Sequence, residues 1–425
     1  MTLLLSVSFV ARAQFLLNGS VGYSPYAGLQ PELIKGVSGL TADSFPRIRH
    51  VYLVNDTILG ITIDAQAVAR TGLLAYYHQP GDSVVLAGPK IPVHLASIAG
   101  LKDFIDATGQ DSMVSVVRYV YRNGKPLGWL VGKNHTQYWP VEKVMGNPLN
   151  TAAVSVTSNY TIAALENNKL AWQINPKAIY RKSKPHVQAR QGPLYEHSFA
   201  QRHEVYLVLG QPFVEGKKYT VSFNNSLQYL GQASFTVNTR QLRTEAIHVS
   251  LAGYHPMQEP KLAYLSMWLG DGGKVTYANR LPFYVIDSQT KEIAFKGETY
   301  LSLNADSVFN YSEYFGPDNY NKTHVYGLDF SGLKTPGNYQ VYVPNIGVSF
   351  VFSINDQVFA NAFKLQMKGF FHQRSGIEMQ MPYTSYNRPK NGHPATGTKI
   401  YTCNKDIFLA TGTMEKLHTT TLLRE

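Results

Sequence analysis

The chain contains 425 residues, of which 44% are hydrophobic and 16% charged, and it carries a formal net charge of +11. This length and apolar content indicate a globular protein of two or three domains. The single cysteine, Cys403, excludes an intrachain disulfide framework and a multi-cysteine metal site. The high counts of Tyr, Phe, Val, Thr and Gly favour strands and turns over helices.

The first thirteen residues have the pattern of an export signal. Residues 3–10 form an apolar run, and Ala11-Arg12-Ala13 follows as a small-x-small cleavage site. This pattern predicts a signal peptide over residues 1–13 and a secreted or periplasmic mature chain, with a first β-strand as the alternative. No later run reaches the ~18 apolar residues of a membrane-spanning helix, so no transmembrane segment is predicted.

The basic residues are mostly scattered singly. The densest group consists of Lys177, Arg181, Lys182, Lys184 and Arg190. Because Pro and Gly residues are interleaved with them, residues 175–192 are interpreted as a solvated loop, with a nucleic-acid-binding stripe as the alternative. The chain shows no zinc-finger, helix-turn-helix or RNA-recognition signature, so no nucleic-acid partner is predicted.

Residues 14–243 are predicted to form a β-rich domain of unknown role. Asn123-Gly124 separates two strand-like runs, 114–121 and 127–131, which is typical of a β-hairpin whose loop Lys125-Pro126 would lengthen. Two later runs, 203–209 and 219–223, flank a turn at Gly216. Strands separated by such turns are typical of a β-sandwich.

Residues 244–354 are predicted to form a second β-domain. Short strand-like runs recur along this segment, and the turn Thr335-Pro336-Gly337-Asn338 precedes the alternating run 339–343. About 110 residues with this spacing indicate an immunoglobulin-like sandwich.

After residue 354, the spacing of apolar residues changes from the two-residue period of a strand to the 3.6-residue period of a helix. Residues 356–373 are predicted to form an amphipathic helix with Phe359, Phe363, Met367 and Phe370 on its apolar face, capped by Asn355 or Asp356. A long polar loop with Pro and Gly follows, up to residue 397.

Residues 245–405 resemble glycoside hydrolase family 9, the cellulase family, in its branch with an N-terminal immunoglobulin-like domain. The first matching stretch is Ile247-His248-Val249 with Gly253-Tyr254-His255-Pro256, and the second is residues 329–354. The third covers residues 363–395 and contains Gln373-Arg374-Ser375-Gly376 at the end of a helix and His393-Pro394-Ala395 in the loop that follows. The resemblance implies a mainly β chain with two β-sandwich-type domains. Residues 355–425 would then be the first helix and loop of an incomplete (α/α)6 barrel, truncated early in the catalytic domain.

The resemblance also implies inverting hydrolysis of β-1,4-glucan or a related polysaccharide, which needs a base and an acid. The family's base belongs to an Asp-Ala-Gly-Asp motif, and its acid is a distant glutamate. The chain contains no such motif, and Asp406, Glu415 and Glu425 are interpreted as surface carboxylates. The family's structural zinc site would meet Ser375, Thr396 and Gly397 here, so it is predicted to be empty. No catalytic, metal-binding or cofactor-binding residue is therefore predicted, and whether these residues form an enzyme is left open.

A non-catalytic carbohydrate-binding protein is the alternative. Sugar rings stack on exposed aromatic side chains, and the candidates are Trp129, Tyr138, Trp139, Tyr314 and Tyr320. Core packing is the other interpretation of each of these aromatics. Both hypotheses predict a β-glucan-type polysaccharide as partner. No serine-hydrolase elbow or zinc-protease motif supports a protease or a lipase.

Overall fold

The computed structural model describes residues 46–69, 72–92, 113–131, 135–192, 197–307, 319, 321–385, 388, 390, 400–402 and 421–424. These residues are mainly β, as predicted, and fall into two compact units. The first unit comprises the described parts of Met1–Leu251, Glu259–Leu333 and Asn338–Phe352. The second comprises those of Ala252–Gln258, Lys334–Gly337 and Ser353–Glu425. The predicted signal peptide, Cys403 and the three C-terminal carboxylates lie outside the described residues.

Two four-stranded antiparallel sheets form a β-sandwich in the first unit. The first sheet has the strand order β1 (Arg47–Leu53), β2 (Ile58–Asp64), β13 (His197–Val208) and β12 (Ala178–Arg190). The second has the order β11 (Lys169–Ile174), β10 (Tyr160–Glu166), β14 (Lys218–Phe223) and β15 (Gln232–Thr236). Ile61 and Val205 from the first sheet share one buried core with Tyr160 and Val221 from the second. The β-sandwich predicted within residues 14–243 is confirmed.

The prediction of a loop over residues 175–192 is wrong. Ala178–Arg190 is a 13-residue strand at the edge of the first sheet, paired with β13 along its length. The pairing shifts between Pro185 and Val187. An edge strand tolerates proline at such a bulge, because the missing N–H is not needed for a second neighbour. The basic residues of this stretch therefore belong to a sheet and not to a flexible loop.

A smaller five-stranded sheet follows β2 along the chain. Its order is β4 (Leu74–Ala75), β8 (Gln137–Pro140), β7 (Lys125–Val131), β6 (Met113–Arg122) and β5 (Asp82–Pro92). Asn123 and Gly124 turn the predicted hairpin with φ of 50° and 74°, which suits a tight two-residue loop. Lys125 and Pro126 lie in β7 and do not lengthen the loop. A separate ladder, β3 (Ala67–Ala69) paired with β9 (Lys143–Met145), contacts β12 and β13 of the first sheet. A single-turn helix, α1 (Thr151–Val154), is capped by the side chain of Asn150.

The predicted immunoglobulin-like sandwich is also present. One sheet has the order β16 (Ile247–His248), β17 (Leu262–Leu265), β21 (Val325–Asp329) and β20 (Tyr300–Leu303). The other has the order β19 (Ile293–Glu298), β18 (Pro282–Asp287), β22 (Gly337–Val343) and β23 (Gly347–Val348), and β24 (Phe352–Ile354) follows in the chain. Phe283, Leu328 and Val341 are fully buried, as alternation along half-buried strands requires.

The second unit contains the predicted amphipathic helix. Helix α2 (Val358–Gln373) begins two residues later than predicted, and the Asn355 side chain accepts a hydrogen bond from the Gln357 N–H just before it. Of its residues, only Val358 is buried. A short ladder of β25 (Ile400–Thr402) and β26 (Thr421–Arg424) completes the unit. Among the described residues, no helix has the length and apolar character needed to cross a membrane.

Candidate binding site

The outer face of the first sheet is polar, opposite to its apolar inner face. Strand alternation places Val205 and Leu207 of β13 in the sandwich core and turns Arg202, Glu204 and Tyr206 to the other side. Neighbouring strands continue this polar face in register. Glu204 is opposite Thr62 of β2 and Lys182 of β12, whereas Arg202 is opposite Asp64 and Lys184.

Two tyrosines of this polar face, Tyr52 and Tyr206, lie on either side of a glycine. Tyr52 and Tyr206 are both register partners of Gly60, one on each side of it. A Cβ atom at position 60 would overlap the Tyr52 ring, so the glycine allows the tyrosine to lie across the strand. The ring of Tyr52 in turn stacks on His50 at a centroid distance of 5.1 Å.

The immunoglobulin-like sandwich packs against this polar face within the first unit. The Tyr277 hydroxyl donates to the Val54 carbonyl at 3.1 Å, and Asp271 accepts from the Arg181 N–H at 2.6 Å. Next to Asp271, a side chain at Gly272 would overlap the Tyr180 ring of β12. These contacts hold the two sandwiches together along β1 and β12.

A polar cavity of about 310 Å³ lies where the two sandwiches meet. Tyr52, Lys182, Lys184, Arg202 and Glu204 line it from the first sheet. Glu245, His248, Ser266, Met267, Trp268, Asn321 and Thr323 line it from the immunoglobulin-like sandwich. Two separate parts of the chain therefore build one recess with charged, hydroxyl and aromatic groups.

Glu204 is the most deeply buried carboxylate of the cavity, with only 5% of its surface exposed. Its Oε2 atom accepts hydrogen bonds from the Tyr52 hydroxyl at 3.1 Å and from the Thr62 hydroxyl at 2.8 Å. Burial raises the pKa of Glu204, although the hydrogen bond from Thr62 opposes that shift. Burial and the charge of Glu204 raise the pKa of Tyr52 well above its ordinary value.

Glu245 belongs to a second polar group, shared with Arg243 and His50. The Arg243 guanidinium donates to Glu245 Oε1 at 2.7 Å and to His50 Nδ1 at 2.8 Å. Burial lowers the pKa of His50 to about 4, so the imidazole is neutral at neutral pH and accepts from Arg243. Burial acts to raise the pKa of Glu245, but His50 and Arg243 outweigh it, so the pKa lies below its ordinary range.

The cationic side chains of the cavity differ in their partners. Arg202 donates to Asp64 at 2.6 Å and therefore already has an anionic partner. Lys182 is half-buried with Nζ 5.6 Å from the centre of the Tyr206 ring, and burial lowers its pKa. Within the part of the chain that the structure describes, the side chains of Lys182 and Lys184 form no hydrogen bond or ion pair. Two lysine charges thus remain for a ligand.

The aromatic residues predicted to stack on sugars are placed differently. Trp129 is only 3% exposed and packs in the five-stranded sheet opposite Trp139. Tyr138 and Trp139 are half-buried, and the Arg190 guanidinium lies 4.3 Å from the centre of the Trp139 ring. Tyr314 and Tyr320 lie outside the described residues. Sugar stacking by Tyr138 and Trp139 stays a prediction, whereas the burial of Trp129 gives its ring a packing role.

No sequence motif indicated the cavity. The two-residue spacing of Lys182 and Lys184 is a signal that both lie on one face of a strand. The interpretation of residues 175–192 as a loop does not use this spacing. Ser375, the one described position of the predicted empty zinc site, lies just after α2. In the described residues, no three His, Cys, Asp or Glu side chains are grouped closely enough to hold a metal ion.

Comparison with known proteins identifies the second sandwich. Residues 243–348 match the family of cellulase N-terminal immunoglobulin-like domains. This segment is such a domain. The resemblance to glycoside hydrolase family 9 is confirmed. The cellulase-type domain therefore supplies one wall of the cavity, including Glu245, His248 and Trp268.

Further similarities cover part of the chain. A xyloglucan-specific endo-β-1,4-glucanase of Bacteroides ovatus, BoGH9A, is 30% identical over 166 residues, which are 39% of this chain and 24% of that protein. The chain thus spans about a quarter of the length of this curated relative. A Bacteroides ovatus family 9 structure shares 23% identity over 35% of this chain and 22% of its own, with a TM-score of 0.26. A metagenome-derived family 9 endoglucanase shares 22% identity over 34% of this chain and 24% of its own, with the same TM-score of 0.26.

Proposed function

We propose that these 425 residues are a non-catalytic, polysaccharide-associated part of a secreted glycoside hydrolase family 9 protein. The observation that carries the proposal is the cellulase N-terminal immunoglobulin-like domain at residues 243–348. The pattern of residues 1–13 supports export. The relative's specificity supports β-1,4-glucans, xyloglucan among them, as the substrates of the whole protein.

The proposal that these residues do not hydrolyse glycans rests on their sequence. Inverting hydrolysis needs a carboxylate that activates water and a carboxylic acid that protonates the leaving oxygen. The family's Asp-Ala-Gly-Asp base motif does not occur in the 425 residues. In the cavity, Glu204 is engaged by two hydroxyl groups and Glu245 by Arg243.

Glycan binding without catalysis is the second candidate function. Tyr138 and Trp139 are adjacent on β8, so strand alternation places their side chains on opposite faces of the sheet. On its own face, the Tyr138 ring meets the Tyr76 ring edge-on at a centroid distance of 6.0 Å. An aromatic group on a small sheet of this kind can stack on the apolar face of a sugar ring. The Arg190 guanidinium over Trp139 holds that ring in place but also covers one of its faces.

Hydrolysis and binding are tested with the purified 425-residue chain. The chain is incubated with β-1,4-glucan, mixed-linkage glucan and xyloglucan, and new reducing ends and retention on insoluble glucan are measured. We expect no reducing ends and measurable retention. Trp139→Ala should reduce retention, and Leu170→Ala, at an exposed aliphatic position of the second sheet, should not. Turnover of any of the three glucans would contradict the proposal. If the chain shows no turnover and also no retention, a glycan-binding role is excluded.

A further inference from the structure

None of the described residues that line the cavity between the two sandwiches is a predicted sugar-stacking aromatic, so the glycan-surface hypothesis does not account for it. It combines lysine side chains that form no hydrogen bond or ion pair, a buried carboxylate and an exposed tryptophan. We propose that this cavity binds a single carboxylated sugar unit, a hexuronic acid. Lys182 and Lys184 bind its carboxylate, and Glu204, His248 and Trp268 bind its ring and hydroxyl groups.

The lysine pair determines the anionic class of the ligand. Lys182 and Lys184 are two residues apart on β12, so both side chains leave the sheet on the cavity side. Arg202 already donates to Asp64, whose carboxylate also has the Arg49 guanidinium at 3.0 Å. A half-buried ammonium such as that of Lys182 gains most from an anion, because a charge-assisted hydrogen bond is about twice as strong as a neutral one. A neutral ligand would give neither lysine side chain a hydrogen-bonded anionic partner, although Glu204 and Glu245 attract Lys182 from within the cavity.

The remaining groups are suited to hydroxyls and a pyranose ring. Both internal hydrogen bonds to Glu204 end on Oε2, which leaves Oε1 to accept from a sugar hydroxyl. His248 Nε2 lies 3.2 Å from the Ser266 carbonyl, so this nitrogen donates and Nδ1 is left as an acceptor. Trp268 is 36% exposed at the wall of the cavity, where its ring can contact the C–H face of a sugar.

The volume limits the ligand to one ring. At about 310 Å³ the cavity is at the lower end of the size range of small-molecule sites. It therefore accommodates a monosaccharide or the terminal unit of an oligosaccharide, and not a glucan chain. The choice of a sugar acid over another hydroxylated carboxylate rests on the proposed function. The choice of an anionic ligand rests only on Lys182 and Lys184 in the cavity.

Titration calorimetry of the 425-residue chain with glucuronate, glucose and acetate tests the proposal. Glucuronate should bind saturably and more weakly as salt is raised, whereas glucose and acetate should bind at least ~10-fold more weakly, because each lacks half of the contacts. Lys184→Gln and Lys182→Met should each weaken glucuronate binding, by ~10-fold for Lys182→Met. Lys169→Gln removes the same charge from an exposed site on the other sheet and should change nothing.

Each contrary result overturns the proposal. Glucose binding as tightly as glucuronate would show a neutral sugar site, and acetate binding as tightly would show a simple anion site. Absence of saturable glucuronate binding, or equal losses in Lys184→Gln and Lys169→Gln, would also exclude it. These measurements use free monosaccharides, whereas the proposed function is tested with glucan polymers. A chain that does not bind glucuronate can therefore be distinguished from a chain that is not retained on glucan.

Discussion

The outer face of the first sheet buries polar side chains, whereas the outer face of helix α2 exposes apolar side chains. Both differ from the usual arrangement, in which apolar groups are buried and polar groups are exposed. The sheet covers Glu204, Asp64 and Thr62, all at most 5% exposed. The helix exposes Phe359, Phe363, Leu365, Met367 and Phe370, at 47–63% exposure. The comparison shows that a buried polar group is stabilised by specific partners, whereas an exposed apolar group of this kind has few contacts to lose. Mutations in the two regions should therefore differ strongly in effect.

The largest effect expected of the covered polar face is a loss of stability in acid. The pKa of His50 is lowered from 6.5 to about 4 by burial, against the opposing contact with Glu245. The unfolded chain therefore binds a proton near pH 6.5 that the folded chain binds only near pH 4. Stability is complete above pH 6.5 and is lost as the pH falls through about 4, by about 3 kcal/mol for this residue.

Denaturant unfolding between pH 7 and pH 4 measures this loss. The pKa of His203, on the inner face of the sheet, is also lowered to about 4 by burial and by Arg181, so it contributes in the same direction. His50→Gln should reduce the pH dependence, and His50→Gln with His203→Gln should reduce it further. An unchanged pH dependence in His50→Gln would show that this face is not the source.

Removing the shared acceptor of the polar face should have the next largest effect. Glu204→Ala leaves the buried hydroxyls of Tyr52 and Thr62 without their acceptor and should lower the free energy of unfolding by about 2 kcal/mol. Glu204→Gln retains an acceptor oxygen and should lower it by less. Glu166→Ala, at an exposed carboxylate of the neighbouring sheet, is the matched control. Equal unfolding midpoints for Glu204→Ala and Glu166→Ala would mean that the covered hydrogen bonds contribute nothing.

The two regions also differ in how far the sequence predicted them. Helix α2 could be predicted within two residues of its start because Phe359, Phe363, Met367 and Phe370 carry a local 3.6-residue period. The edge strand β12 was missed because Pro185 and the surrounding basic residues indicate a loop when the alternation of Lys182 and Lys184 is ignored. The cavity could not be predicted, because Lys182 and Trp268 belong to different sandwiches and only tertiary packing brings them together.

Substitutions on the exposed apolar face of helix α2 should have the smallest effect on the free energy of unfolding. They should also change the fluorescence of a dye that binds apolar surface. Phe363 is 62% exposed, so Phe363→Ala should change the free energy of unfolding by less than ~0.5 kcal/mol. The same change at Phe223, which is 4% exposed in the sandwich core, should cost ~3–5 kcal/mol.

A dye that binds exposed apolar surface distinguishes the helix from the core. Phe363→Ser with Phe370→Ser should reduce dye fluorescence at unchanged stability, since the apolar stripe of α2 is removed without touching a packed residue. A loss of stability in this double variant, comparable to that of Phe223→Ala, would mean that the two phenylalanines are buried in solution. The helix would then be an ordinary packed element, and its contrast with the covered polar face of the first sheet would disappear.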